Sequence, residues 1–559
     1  MIAWSWELLG EHERTVAERV SVLPGGVTPA SAIALCAGTE VPAAGIPDLL
    51  AALVDRSLLH LAPDPGRYRM LETLREYGTD RLAASGDLGT VRALAAGHFA
   101  ELTARNDPLL RGPGQLAAMR VIGAEYDNTL AALRHRCDTG DAAGAVALAL
   151  SLAWYWQLFG RHTDAAFWLG EVLAVPDAEP APGRDLARAT HLSHRVDTRR
   201  GMSAEEAADD RAGLRELAGR LLAHPEPAGP YGALVALQLA SVQEEKSALA
   251  VFGRWADGDD VWLSGLARML RAEYAENAGR LDRMRADVDA ALDRFRQAGD
   301  RWGQATTLTM RAQLRQYDDD DLDGALADLR ESWSLADEFG RLNPADELFR
   351  DLRRIDLRLR RGDTGTALAL LDSARERAPR VVSEEMLVLL DALEAGFRVR
   401  LGHLDRAREL LDDAERALRG EATFPGDHVR TLLGNVRASL CLELGDPAGA
   451  ARALTTAYAA ALATRDVPIL AVVAVTTAAL AEAYGRPHES AVLLGAAARL
   501  RGAHDPTDPQ VRELTARGRA TLGEEAFAAA YGTGRRLDRR AATAEVDPAR
   551  YVAARYPAR

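Results

Sequence analysis

The sequence predicts a mainly α protein, with a small winged-helix domain followed by a tetratricopeptide-like α-solenoid. Alanine, leucine and arginine dominate the 559 residues while isoleucine occurs only six times, so good helix formers abound and the β-branched stock is thin. A glycine, one or two polar residues and an Ala-x-x-Leu core recur, with spacings of 40, 43 and 40 residues between Gly362, Gly402, Gly445 and Gly485. Near the N-terminus, three short helical segments are followed by a hairpin signal. Hydrophobic residues at 48% and charged residues at 27% exclude wholesale disorder.

The first domain is placed at residues 1–90. Glu11 to Ser21 reads as a helix. Thr28 caps a second helix that opens with Pro29, and Pro47 opens a third, short and apolar, through Val54. Ser57 to Leu61 and Arg67 to Met70 are short runs joined by the turn chemistry of Asp64-Pro65-Gly66. Three helices and a hairpin make a winged helix, which raises DNA binding as a reading. The charges oppose it: residues 1–90 carry seven arginines against twelve Asp and Glu, and the third helix holds two aspartates and one arginine. Phosphate neutralisation needs a basic face, so an intramolecular packing module is the preferred reading.

Residues 91–178 read as the helical start of a repeat array and 179–540 as the solenoid. Each repeat holds two amphipathic helices, as at Gly279-Arg280-Leu281, Asp323 to Leu326, Gly402 to Ala407 and Gly485-Arg486-Pro487. Pro176 to Pro182 and His224 to Pro230 are too proline-rich for helix interiors and read as loops. Residues 541–559 show no clear period and read as a loosely held tail. Ala142 to Gly160 carries no formal charge over nineteen residues, yet Gly144, Ser151 and Gln157 interrupt it. A buried helix is preferred over a membrane span.

The catalytic signals are missing. The single lysine, Lys246, follows Gln243-Glu244-Glu245, so this chain has no P-loop lysine; the remaining positive charge is arginine, a bias read as genome composition. HExxH, GxSxG and GxGxxG are absent, and the twelve histidines are dispersed, with His60, His403 and His488 in loops or at the surface. Asp319, Asp321, Asp323 and Gly324 imitate a calcium loop, but Arg330 occupies the position that requires a bidentate glutamate, so an inter-helix turn is expected. No catalytic residue, cofactor or metal is expected in this chain. Cys36, Cys137 and Cys441 are far apart, and no basic segment leads into an apolar N-terminal core, which fits a cytoplasmic protein. Trp154, Tyr155, Trp156, Phe159, Phe167 and Trp168 form the densest aromatic cluster, read as helix packing with a ligand groove as the alternative.

Several segments resemble one family. Ala3 to Leu9 with Glu13-Arg14, Leu49 with Leu53 to Leu58, and Arg67 to Tyr77 look like the winged-helix segment of STAND-type bacterial ATPase regulators of the SARP and LuxR-like kinds. Glu125-Tyr126-Asp127-Asn128, Ala131 to Leu133 and Trp156-x3-Gly160 resemble the start of their helical array, and Ser490 to Ala497 with Leu522 to Phe527 its end. In that family a DNA-binding domain and a nucleotide-binding NB-ARC domain precede the winged helix. The resemblance implies that this chain is the C-terminal half of such a regulator, a shortened relative or a truncated reading frame, and that ATP or ADP enters only through an upstream domain. Met70, Leu71 and Glu72 match a nucleotide-sensing segment in which leucine replaces the histidine, and leucine has no donor for a phosphate. The implied function is a non-catalytic regulatory module that meets a protein partner, its own ATPase domain or an effector, with DNA reached through another domain and no membrane involved. Two alternatives are direct DNA binding by the winged helix and a stand-alone scaffold binding peptide or small molecule in the solenoid groove.

Overall fold

A computed structural model describes residues 2–63, 66–176, 183–197, 204–223, 245–317, 321–339, 344–377, 384–418, 426–464 and 466–552. The expected turn residues Asp64 and Pro65, the loops at 177–182 and 224–230, and Asp318 to Asp320 of the calcium-loop imitation lie outside the described residues. The fold is an α-solenoid with a small hairpin-bearing N-terminal region. Packing divides the chain into two compact units, one of residues 1–198 and 207–242, the other of 199–206 and 243–559.

The first unit begins with α1 (Ile2–Glu7), α2 (Glu11–Val20), α3 (Pro29–Leu35) and α4 (Ile46–Asp55). The start of α3 is locally dictated: Thr28 and Ser31 form a reciprocal capping box and Pro29 takes the first turn, where a missing N–H costs nothing. Strands β1 (His60–Leu61) and β2 (Tyr68–Arg69) pair antiparallel, His60 opposite Arg69 and Leu61 opposite Tyr68. Val27 adds a bridge to Tyr68 through two backbone bonds of 2.8 Å, which ties the hairpin to the turn before α3. Val16, Leu35, Ile46, Leu50 and Leu53 fill the space between these helices.

The same unit continues through α5 (Glu72–Ser85), α6 (Leu88–Asn106), α7 (Gln115–Ala124), α8 (Tyr126–Asp138), α9 (Ala142–Leu158), α10 (His162–Ala174), α11 (Arg184–Asp197) and α12 (Ala204–Ala223). The uncharged segment forms α9, which is buried on nearly every side and packs against α6, α8, α10 and α11. Its N-terminus is capped by Asp141, whose carboxylate accepts from the Gly144 N–H at 2.9 Å. Among the described residues no helix is long and apolar enough to cross a membrane.

The second unit is built of helix pairs. Gly279, Gly362, Gly402, Gly445 and Gly485 each turn the chain with φ between +64° and +86°. Arginine on the first helix of a pair braces a carboxylate on the second, as Arg271 does with Asp287 and Arg311 with Asp328. Arg437 reverses the sense, reaching back to Asp412 and Glu415. The planar guanidinium suits these two-point contacts.

Late residues of this unit return to early ones. A Cβ at Gly279 would lie 2.1 Å from the Leu500 carbonyl oxygen, whereas one at Gly362, Gly402, Gly445 or Gly485 would meet nothing within 4 Å. Arg360 donates to both oxygens of Asp505 at 3.0 Å and to the Thr507 hydroxyl at 2.9 Å, while Thr507 donates to the Gln316 carbonyl at 2.8 Å. The loop 502–508 thus clasps the ends of helices Val261–Asn277, Arg301–Arg315 and Pro344–Arg360. Of the stretch 541–559, expected as a loosely held tail, residues 541–552 run instead through helices Arg539–Glu545 and Ala549–Val552, and 553–559 lie outside the described residues. Ala542, Val546 and Tyr551 are buried there, and the Tyr458 hydroxyl bonds the Thr543 carbonyl at 3.0 Å. Apolar burial along these two short helices outweighs the weak periodicity.

Candidate functional site

Three segments distant in sequence meet in one buried polar knot within the first unit. Arg67, at the foot of β2, donates to the Gly25 carbonyl at 2.9 Å and to Glu125 at 2.5 Å. Glu125 immediately precedes α8, and its second oxygen accepts from the Asn128 amide at 2.7 Å. Asn128 also accepts from the Gly25 N–H at 2.8 Å and donates to the Gly26 carbonyl at 3.0 Å. Arg67, Glu125 and Asn128 are 4%, 6% and 1% exposed, so this is a fully desolvated ion pair with its remaining valences met. Glycine is required at the turn: Gly26 has φ +86° and a Cβ there would stand 2.6 Å from the Tyr68 carbonyl. The knot joins the hairpin, the α2–α3 turn and the first helices of the array. It holds no nucleophile; what it does in this structure is hold the hairpin region on α8.

The aromatic cluster divides. Trp154, Tyr155 and Trp156 lie buried along α9, and Phe159 is half-buried at its end. Trp156 donates its indole N–H to the Tyr126 hydroxyl at 2.8 Å, and that hydroxyl donates to Asp164 at 2.7 Å. The Arg161 guanidinium sits 4.3 Å from the Tyr126 ring centroid. Burial, and then the Asp164 carboxylate, push the Tyr126 phenol up, so it stays a neutral donor. Phe167 points elsewhere, 52% exposed on α10, with Trp168 beneath Arg134 at 4.8 Å. The six aromatics are therefore mostly core, with Phe167 alone strongly exposed.

Met70 and Leu71 lead into α5, which Glu72 begins, and none of the three makes a hydrogen bond to Arg67, Glu125 or Asn128 among the described residues. Leu71 is 59% exposed, and Glu72 pairs with Arg75 at 2.5 Å on the surface. Sequence reasoning missed Arg67 and Glu125 as partners, although both stand in motifs that carry the family resemblance. A second missed feature is a histidine pair: His162 and His194 approach Nδ1 to Nδ1 at 2.9 Å between α10 and α11. At that distance one Nδ1 donates its proton and the other accepts. Burial, and then the neighbouring His162 and His191, push His194 down to about 3. Among the described residues no three His, Cys, Asp or Glu side chains gather to hold a metal ion.

No family model matches the chain. Over 177 residues it is 33% identical to a protein of Mycobacterium bovis named as an inferred HTH-type transcriptional regulator, and equally to counterparts in two strains of Mycobacterium tuberculosis. That match covers 31% of this chain and only 20% of each relative, so the chain aligns with about a fifth of their length. A crystal structure of a Signal Transduction ATPase with Numerous Domains carrying a tetratricopeptide repeat sensor, from Pyrococcus horikoshii, aligns with TM-score 0.32 and 12% identity, over 95% of this chain and 66% of that one.

Removing one partner of a desolvated pair strands the other, at a cost of about 3–5 kcal/mol. Arg67→Met and Glu125→Leu are each expected to lower stability by that order, and the double variant by less than their sum, in urea unfolding of the full chain. A second expectation follows from His194. Unfolded imidazole titrates near its ordinary value of about 6.5, so below that pH the unfolded chain binds a proton that the folded chain refuses. Stability is full above about pH 6.5 and falls by ~1.4 kcal/mol per unit as the pH drops toward the folded value. His194→Gln is expected to flatten the loss between pH 7 and pH 5.

Proposed function

We propose that this chain is the signal-receiving part of a transcriptional regulator, without catalysis of its own. Its similarity to transcriptional regulators over 177 residues supports the regulatory class. The observation that carries the mechanism is the Arg67–Glu125–Asn128 knot, a satisfied but breakable link between the hairpin region and the helical array. An effector or partner that prefers one arrangement of these parts shifts the population between docked and released hairpin region. Such a ligand moves the balance only by its differential affinity for the two arrangements.

In this reading the chain is the C-terminal half of a STAND-type regulator of the SARP or LuxR-like kind, acting in the cytoplasm. Its partner is its own ATPase domain or a separate protein, ATP or ADP is bound by that domain, and DNA is read through another domain. The winged-helix order of elements does not favour direct DNA reading here. The helix α4, where a recognition helix would sit, carries Asp48 and Asp55 and no arginine within its span.

The test is the DNA immediately upstream of the reading frame. An in-frame extension encoding GxxxxGK[ST] and a basic helix-turn-helix is the expected result. An in-frame stop with an independent promoter would make the chain a free-standing adaptor instead.

A further inference from the structure

In the first unit, α10, α11 and α12 enclose a groove of about 960 Å³. Small-molecule cavities run roughly 300–1,000 Å³, so this one has room for a compact organic ligand. Its wall is chemically two-sided. Leu173, Leu186 and Leu192 give apolar surface, while four arginines stand against the carboxylates of Asp185 and Asp210. In a chain of net charge -14 that local excess of cation runs against the general trend.

Three of the arginines are tied into the scaffold. Arg184 donates to the Leu173 carbonyl at 2.7 Å and so caps the end of α10. Arg195 pairs with Asp210 at 3.1 Å, and Arg220 grips both oxygens of Asp185 at 3.0 and 3.1 Å. These contacts fix α10, α11 and α12 around the opening. Arg188 differs. It is exposed on the same wall and makes no hydrogen bond or ion pair among the described residues. Beside it, the Nδ1 of His191 is buried without a hydrogen-bond partner.

We propose that this groove binds a small amphipathic anion, a carboxylate or phosphate ester on an apolar body. Arg188 pairs with its charge, and the leucines cover its apolar part. Occupancy would be felt at the knot through packing, because α10 rests on α9 and α9 on α8. As an effector site the groove rests on the sensor reading above; as a binding site it does not.

Titration of the full chain with 8-anilinonaphthalene-1-sulfonate, a fluorescent aromatic anion, tests the assignment. The expected result is saturable binding at one site per chain, weakened about tenfold in Arg188→Ala and largely restored in Arg188→Lys. Because Arg188 has no partner to strand, the thermal midpoint of Arg188→Ala should match that of the parent chain. Displacement of the probe by decanoate or by decyl phosphate identifies the head group. Decan-1-ol, the same apolar body without charge, should displace it far less well. No saturable binding, equal affinity in the parent and Arg188→Ala, or equal displacement by decan-1-ol would each overturn the proposal. Binding is read directly here, so such a failure leaves the knot and the sensor reading untouched.

Discussion

A guanidinium and a carboxylate taken out of water must find each other, and in this chain they do so across 58 residues of sequence. Arg67 and Glu125 lie under 10% exposed, Asn128 donates to the second Glu125 oxygen, and the Gly25 carbonyl accepts from Arg67. Much else depends on this arrangement. The Gly25–Gly26 turn is held by Arg67 and Asn128, and that turn positions Val27 for its bridge to Tyr68. The hairpin region and the first array helices are consequently one packed unit. Buried ion pairs contribute little net stability compared with apolar packing, so their physical value lies in fixing one register.

The second unit uses the same chemistry for a different end. Arginine-to-carboxylate braces repeat across its helix pairs, and the loop 502–508 clasps earlier turns through Arg360, Asp505 and Thr507. A repeat array otherwise touches only its neighbours and tolerates bending. A contact spanning 145 residues, as Arg360 makes with Asp505, limits that bending. An arginine content read as genome composition is thus spent on specific two-point contacts.

Features set by a few adjacent residues were legible in the sequence. The Thr28 cap with Pro29, the glycine turns at Gly362 to Gly485, and the burial of the uncharged helix around Trp156 are all local in cause. The knot was not legible. Each of its members looks like an ordinary surface residue until the fold brings them together, and one sequence offers no pairing signal. The aromatic cluster misled in part because linear density hid direction: Trp156 turns into the core while Phe167, eleven residues on, faces outward. At the C-terminus, Ala542, Val546 and Tyr551 are buried along two short helices whose spacing was masked by surrounding alanine and arginine. The histidine pair and the α10–α12 groove depend on helix packing alone.

Hydrogen exchange on the full chain, comparing the parent with Glu125→Gln, reads the joint most directly. If the knot couples the hairpin region to the array, protection falls together in residues 60–69, in the turn at 25–28 and at the start of α8. Faster exchange confined to the hairpin, with α8 unchanged, would contradict the account.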